Sequence, residues 1–247
     1  EGGHVAGFDL NEDAMNETAS LVRAAGGRCL PFQGDVSKAE SAEEFLAAVL
    51  AEYGAVDALV NNAGIIQPFV HFRRMTLQQV ERVFGVNWYG IVHMTHAFLP
   101  KLIERPEASL VNVSSMGGFC PVPGQGVYGA SKAAVKLLSE SLVLELKGTG
   151  VRVTTVFPGG VRTNIAANAP DISEADKKKQ LEKGGAYGTT AEDAARTIVR
   201  AIETGKERVT IGPDAKLLDA LTRLAPRSAG ALMAALMKRA GVLVADE

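Results

Sequence analysis

Two hydrophobic periods alternate along this chain. Short, nearly continuous apolar runs fall at 5–10, 28–33, 56–60, 109–113, 151–157 and 207–211. Runs of that length without polar alternation fit strands buried on both faces. Between them the apolar positions recur every three to four residues, which predicts amphipathic helices. One begins at Asn11, a good N-cap followed by Glu12 and Asp13, and stops at Gly26-Gly27. Others are predicted over 37–53, 76–103 with Thr76 as cap, 128–147 and 191–204. The last segment, 216–239, is rich in Leu, Ala and Met and is broken at Pro226. Strands alternating with helices predict an α/β fold with a parallel sheet covered on both faces. Such sheets bind ligands beyond the carboxyl ends of their strands. Asp9, Asn61 to Gly64, Ser114-Ser115 and Pro158 to Thr163 all fall at those ends.

Composition narrows the class. Apolar residues make up 47% and charged residues 22%, which suits a soluble globular protein. The net charge of −2 supplies no basic field for nucleic acid or an anionic membrane. No uninterrupted apolar run is long enough to predict an integral membrane segment. Cys29 and Cys120 lie in no CxxC or zinc-like spacing, and are expected to be reduced thiols of a cytoplasmic protein, with a disulfide as the alternative. The chain opens on Glu1-Gly2-Gly3-His4, without the pattern of a signal peptide, and reads like the middle of a fold. Its polar stretch 164–190 is expected to be a substrate lid, and 216–239 a helical tail, within one domain over 1–247.

Candidate chemistry centres on Tyr128 and Lys132, spaced i and i+4 so that both leave one helix face. A free phenol, with a pKa of about 10, is a poor base at neutral pH. A close ammonium favours the phenolate and draws that value down. Ser115, thirteen residues upstream at a strand end, can hydrogen-bond a carbonyl oxygen where negative charge develops. Taken alone, Tyr-x-x-x-Lys also occurs in helices without catalytic roles. Tyr128 can equally be a tyrosine with its tip in water, and Ser114-Ser115 can cap a turn.

The joint pattern resembles the short-chain dehydrogenase/reductase family. Leu110-Val111-Asn112-Val113-Ser114-Ser115 followed by Tyr128-Gly129-Ala130-Ser131-Lys132 carries the resemblance. So do Asn61-Asn62-Ala63-Gly64, Asn87 in Val86-Asn87-Trp88-Tyr89-Gly90, Gly34-Asp35-Val36 and Pro158-Gly159-Gly160-Val161-Arg162-Thr163. The matches run in order from residue 5 to about residue 212. The resemblance implies a Rossmann-like doubly wound sheet and a nicotinamide cofactor. It implies Tyr128 as general acid/base, Lys132 as the group that lowers its pKa and holds the nicotinamide ribose, Ser115 as substrate-oxygen donor and Asn87 as holder of a relay water. Asp35 and Val36 would meet adenine, Asn62, Ala63 and Gly64 would line the cofactor, and Pro158, Gly159, Val161 and Thr163 would flank the nicotinamide. Asp9 would accept bonds from the adenosine ribose and repel a 2′-phosphate, which favours NAD over NADP, unless it only begins the helix cap.

One family signature has no counterpart. The glycine-rich loop that cradles the pyrophosphate should precede Asp9 by about 20 residues. An absent strand-loop-helix unit of about 25 to 30 residues is therefore expected. The implied reaction interconverts a small-molecule secondary alcohol and a ketone, with a hydrophobic substrate lined by Phe119, Pro121, Val122 and Gln67 to Phe69. A dinucleotide-binding pseudoenzyme and an epimerase or dehydratase are the alternatives. The resemblance also implies a homo-oligomer, dimer or tetramer, packed through the helices at 76–103 and 128–147. His93 and His96, i and i+3, lack a third ligand, so no metal is expected. The leucines and methionines of 216–239 fit packing against the body or a neighbouring subunit first, a lid over an apolar substrate second and membrane contact third.

Overall fold

The computed structural model describes residues 3–163, 165, 169 and 188–239. Its elements follow the predicted alternation. They are β1 (His4–Asp9), α1 (Glu12–Ala24), β2 (Arg28–Gln33), α2 (Ala39–Tyr53), β3 (Ala58–Asn61), α3 (Leu77–Phe84), α4 (Gly90–Ile103), β4 (Ala108–Val113), α5 (Gly126–Glu145), β5 (Val151–Pro158), α6 (Ala191–Thr204), β6 (Arg208–Ile211), α7 (Pro213–Leu224) and α8 (Pro226–Arg239). Every strand pairing is parallel, as buried apolar strands joined by helices require.

The strands form two sheets rather than one: β1 with β2, and β3-β4-β5-β6 in that order. Among the described residues β1 and β3 therefore each have a strand neighbour on one side only. Side chains join what the backbone does not. Phe8 of β1 and Phe32 of β2 stack at 5.8 Å, and Phe45 of α2 meets them at 5.1 and 5.3 Å. Phe45 in turn meets Phe98 of α4 at 5.5 Å, inside the cluster that holds Leu59 and Leu110. The alternation along each strand then puts helices on both faces. Leu110 joins the cluster of α2, α4 and α5, while Val111 and Val113 join Ala194 and Ile198 of α6. On β1, Gly7 faces Met15 of α1, where a Cβ would lie 2.8 Å from the sulfur.

The predicted helix over 76–103 is three pieces. Thr76 caps α3 with a reciprocal bond to Gln79, and a π turn over Gly85–Tyr89 separates α3 from α4. Widening the helix by one residue there turns Asn87 into the interior, where it is fully buried. Gly90 lets the next turn approach Val36, since a Cβ would lie 2.9 Å from that side chain. The tail breaks at Pro226 as predicted. Leu218, Ala229 and Met233 pack on Cys120, with Met116, Phe119 and Val122 alongside, which is the first of the three meanings expected for this segment. Most of the lid expected over 164–190 lies outside the described residues. Among those described, no helix is long and apolar enough to cross a membrane.

Candidate active site

Strand β4 runs into Ser114 and Ser115, then a single 3-10 turn over Met116–Gly118. The Ser114 hydroxyl donates to the Lys132 carbonyl oxygen at 2.7 Å and so ties this turn to α5. The Ser115 hydroxyl accepts the Gly117 amide at 3.1 Å. A Cβ added at Gly117 would lie 3.6 Å from both Ser115 Oγ and a ring carbon of Tyr128. The two side chains therefore share one small space, where the Ser115 hydroxyl is near enough to act on the phenol.

Lys132 follows one helical turn later and is 3% exposed. Its Nζ donates to the Val113 carbonyl at 2.9 Å, the one acceptor it meets among the described residues. Asn87 enters from the π turn. Its Oδ1 accepts the Ile65 amide at 2.8 Å, and its Nδ2 donates to the Ile65 carbonyl at 2.9 Å and to Ser131 Oγ at 3.2 Å. Gly64 lies between these groups: a Cβ there would be 3.2 Å from Lys132 Nζ and 3.3 Å from Asn87 Oδ1. Ser115, Tyr128, Lys132 and Asn87, scattered over 46 positions, are thus brought together at the carboxyl edge of β3 and β4.

Electrostatics in the protein alone differ from the expected picture. Burial pushes the Tyr128 phenol above its ordinary value, and the Ser115 hydrogen bond draws it part of the way back. Burial also lowers Lys132 to about 8, because its ammonium loses water. This has a stability consequence. A lysine whose folded pKa lies below its unfolded value of about 10.4 destabilises the fold while it must stay charged, and that penalty fades as pH rises past the folded value. Stability is therefore expected to rise by up to about 3 kcal/mol between about pH 8 and pH 10, and Lys132→Met is expected to abolish that rise. Urea unfolding of both proteins across this range is the measurement, and equal slopes would refute the assignment.

The residues assigned to the cofactor lie at strand ends as expected, several with local partners. Asp9 is exposed at the end of β1, and its Oδ1 accepts the Asn11 amide at 2.8 Å. Asn11, not Asp9, caps α1 through the Ala14 amide. Asp35 accepts the Ser37 amide at 2.9 Å. Val36 packs on Gly90, and its carbonyl lies 3.0 Å from His93 Nδ1. Asn62 and Ala63 are exposed, and Gly64 is half-buried. Pro158 ends β5. The loop after it is held by Asp214 of α7, whose Oδ2 accepts the Gly160 amide at 2.7 Å and whose carboxylate leaves no room for a side chain at Gly159. Val161 bridges to Thr189, and Thr163 Oγ1 accepts the Ile165 amide at 3.5 Å. Among the described residues no group of three metal-ligating side chains comes together.

Several contributors carry weaker signals in the sequence. Asn61 donates to Asn112 Oδ1 at 2.8 Å and to Thr95 at 3.1 Å, and Asn112 donates to Ser139 at 2.9 Å. This buried polar ladder underlies the site and joins β3, β4, α4 and α5. Ser131, fully buried, bonds both Asn87 and the Tyr128 carbonyl. Gln67, read as part of an apolar wall, is instead a buried hub of hydrogen bonds. Polar residues inside otherwise apolar runs are the signal that points to all of these. Phe119 is also less a wall than expected, because it packs on Phe157 at 5.4 Å.

Comparison with known proteins decides the family. The sequence model of short chain dehydrogenases matches residues 1–173, more than half the chain. The chain belongs to the short-chain dehydrogenase family. Relatives of this chain within that family carry the names oxidoreductase and dehydrogenase. Over 237 residues the chain is 36% identical to the probable oxidoreductase EphD of Mycobacterium tuberculosis, covering 92% of this chain and 40% of that protein. It thus spans well under half the length of this relative. A short-chain dehydrogenase from Burkholderia phymatum solved with NAD superposes with a TM-score of 0.79 at 28% identity, over 89% of this chain and 85% of that one. A serine dehydrogenase complexed with NADP+ superposes at 0.75, also at 28% identity, over 85% of each chain.

The residues present in this short-chain dehydrogenase suit a nicotinamide dinucleotide at two points. Asp9 offers an exposed carboxylate at a strand end, a natural acceptor for ribose hydroxyls. Gly64 leaves the space beside the Lys132 ammonium clear of any side chain.

Proposed function

We propose that this short-chain dehydrogenase interconverts a secondary alcohol and a ketone, with NAD as the hydride carrier and Tyr128 as general acid/base. The observation that carries this reading is that Lys132 and Asn87 meet around Gly64, one helical turn from Tyr128, which shares its space beside Gly117 with Ser115. When bound, the nicotinamide accepts or supplies the hydride. The protein's own groups handle the proton and the geometry. Ser115 donates to the substrate oxygen and orients it towards the phenol beside it. Tyr128 takes the alcohol proton in oxidation and returns it in reduction. Lys132, close below the same helix face, favours the phenolate when charged. Asn87 has its amide committed to Ile65 and Ser131, so its first effect is to hold the turn that carries Gly64. The test is the reduced-nicotinamide absorbance with a panel of secondary alcohols and NAD. Sustained turnover supports the reading, and none across the panel by a folded protein that binds NAD favours a binding role instead.

NAD is preferred over NADP because a carboxylate at Asp9 repels a 2′-phosphate. Asp9→Asn is expected to raise NADP affinity about tenfold relative to NAD, the change worth 1.4 kcal/mol. Unchanged relative affinities in calorimetry would remove Asp9 from cofactor choice. A hydrophobic substrate is supported by Met116 and Val122, apolar and half-buried beside the Ser115 turn.

Self-association is supported by the outer face of α5, where Leu137 and Leu144, i and i+7, are 68% and 63% exposed. The double substitution Leu137→Glu/Leu144→Glu is expected to yield a smaller particle by light scattering. An unchanged mass would place any interface elsewhere.

A further inference from the structure

The first turn of α5 has an unusual cap. Gln125 occupies the N-cap position and makes no side-chain cap bond. The third residue of the helix is Tyr128, whose amide is one of the orphan donors that every helix start must satisfy. It donates instead to Gln67 Oε1 at 2.7 Å, from 61 residues away. Gln67 is 1% exposed, and the rest of its polar inventory is also committed. Its Nε2 donates to the Gly124 carbonyl at 2.9 Å and to Met75 Sδ at 3.2 Å, while its own carbonyl accepts Gln125 Nε2 at 3.0 Å. One short segment therefore touches three site groups: Gly64 meets Lys132, Ile65 meets Asn87, and Gln67 meets the Tyr128 backbone.

We propose that Gln67 is a positioning residue for Tyr128: as a long-range helix cap it sets the backbone from which the phenol projects, and through residues 64–67 it fixes that phenol relative to Lys132. The inference rests on the reading of Tyr128 as the acid/base. An N-cap bond satisfies a donor that has no partner within the helix, so losing this one frees the first turn to shift. A misplacement of about 1 Å at a reacting group is worth about a hundredfold in rate.

Two substitutions test it. Gln67→Met keeps length and loses the acceptor. Gln67→Glu keeps an acceptor for the Tyr128 amide and adds a negative charge beside the backbone that carries the phenol. Gln67→Met is expected to lower kcat for alcohol oxidation by about tenfold to a hundredfold with KM within about threefold. Gln67→Glu is expected to recover much of that loss and to move the rise of oxidation rate with pH to higher pH. The same upward move is expected without cofactor or substrate, in the tyrosinate absorbance that Tyr128→Phe removes. Melting curves establish that each variant is folded. Should Gln67→Met not fold, the Gln67→Glu pH profile and tyrosinate titration decide alone. Full kcat in a folded Gln67→Met protein overturns the proposal, and so does a Gln67→Glu profile and titration that stay in place. If Tyr128→Phe keeps its turnover, the acid/base reading itself fails. An inactive Tyr128→Phe beside a fully active Gln67→Met sinks only the role given to Gln67.

Discussion

A Tyr128→Phe protein is expected to fold as the parent does and to lose about a hundredfold to ten-thousandfold in kcat, the usual contribution of a positioned general acid or base. The substitution deletes one oxygen. The ring keeps its place beside Gly117, and the backbone keeps its bonds to Gln67 and Ser131. What goes is the proton carrier and the partner of the Ser115 hydroxyl. Binding of NAD is expected to change little, because Lys132 and Gly64 stay together. The effect should therefore appear in kcat rather than in cofactor affinity. Reduced-nicotinamide absorbance beside a melting curve separates the two. Undiminished turnover with an intact fold would take Tyr128 out of the mechanism and leave Ser115 and Lys132 without a proton acceptor between them.

The second large effect is expected from Gly118→Ala, one methyl group placed where strand, turn and helix meet. A Cβ at Gly118 would lie 2.7 Å from Ser114 Oγ and 2.8 Å from the Lys132 carbonyl oxygen. The first neighbour is a short side chain already bound to that same carbonyl at 2.7 Å. The second is helix backbone and cannot swing aside. The turn must part from α5, and overpacking of this kind costs about 3 kcal/mol. Parting them also separates Ser115 from Tyr128, so activity is expected to fall in the fraction that remains folded. Gly126→Ala is the control. It lies on the same helix with nothing within 4 Å of the added carbon, and alanine there is expected to be neutral or mildly stabilising. Denaturant midpoints compare the three proteins directly. Equal midpoints for the parent and Gly118→Ala would mean that the turn is looser than the packing shows.

Much of this is legible in the sequence. The six strands and the helices between them follow from hydrophobic period, because side-chain alternation is a local property of strand and helix geometry. Tyr128 and Lys132 share a helix face for the same local reason. Asn11 and Thr76 announce their caps through a bond that closes within three residues. Less was legible where partners are distant. The helix over 76–103 reads as continuous because no local signal marks the π turn that buries Asn87. That turn is stabilised by the bonds of Asn87 to Ile65 and Ser131, which lie 22 and 44 residues away.

The division is physical. By itself the sequence determined the α/β alternation, the resemblance of its motifs to a dehydrogenase and the spacing of the tyrosine and lysine, all set by periods of a few residues. Only the tertiary structure decided how Tyr128 is held. Its amide is satisfied by a glutamine from a different loop, and its hydroxyl meets a serine delivered by a different strand. Lys132 rests against a carbonyl of that strand and a glycine of the loop after β3. Such bonds form only where packed layers bring buried donors to buried acceptors. The need to satisfy each of those groups is written in the chain, while the identity of the partner is settled by the fold.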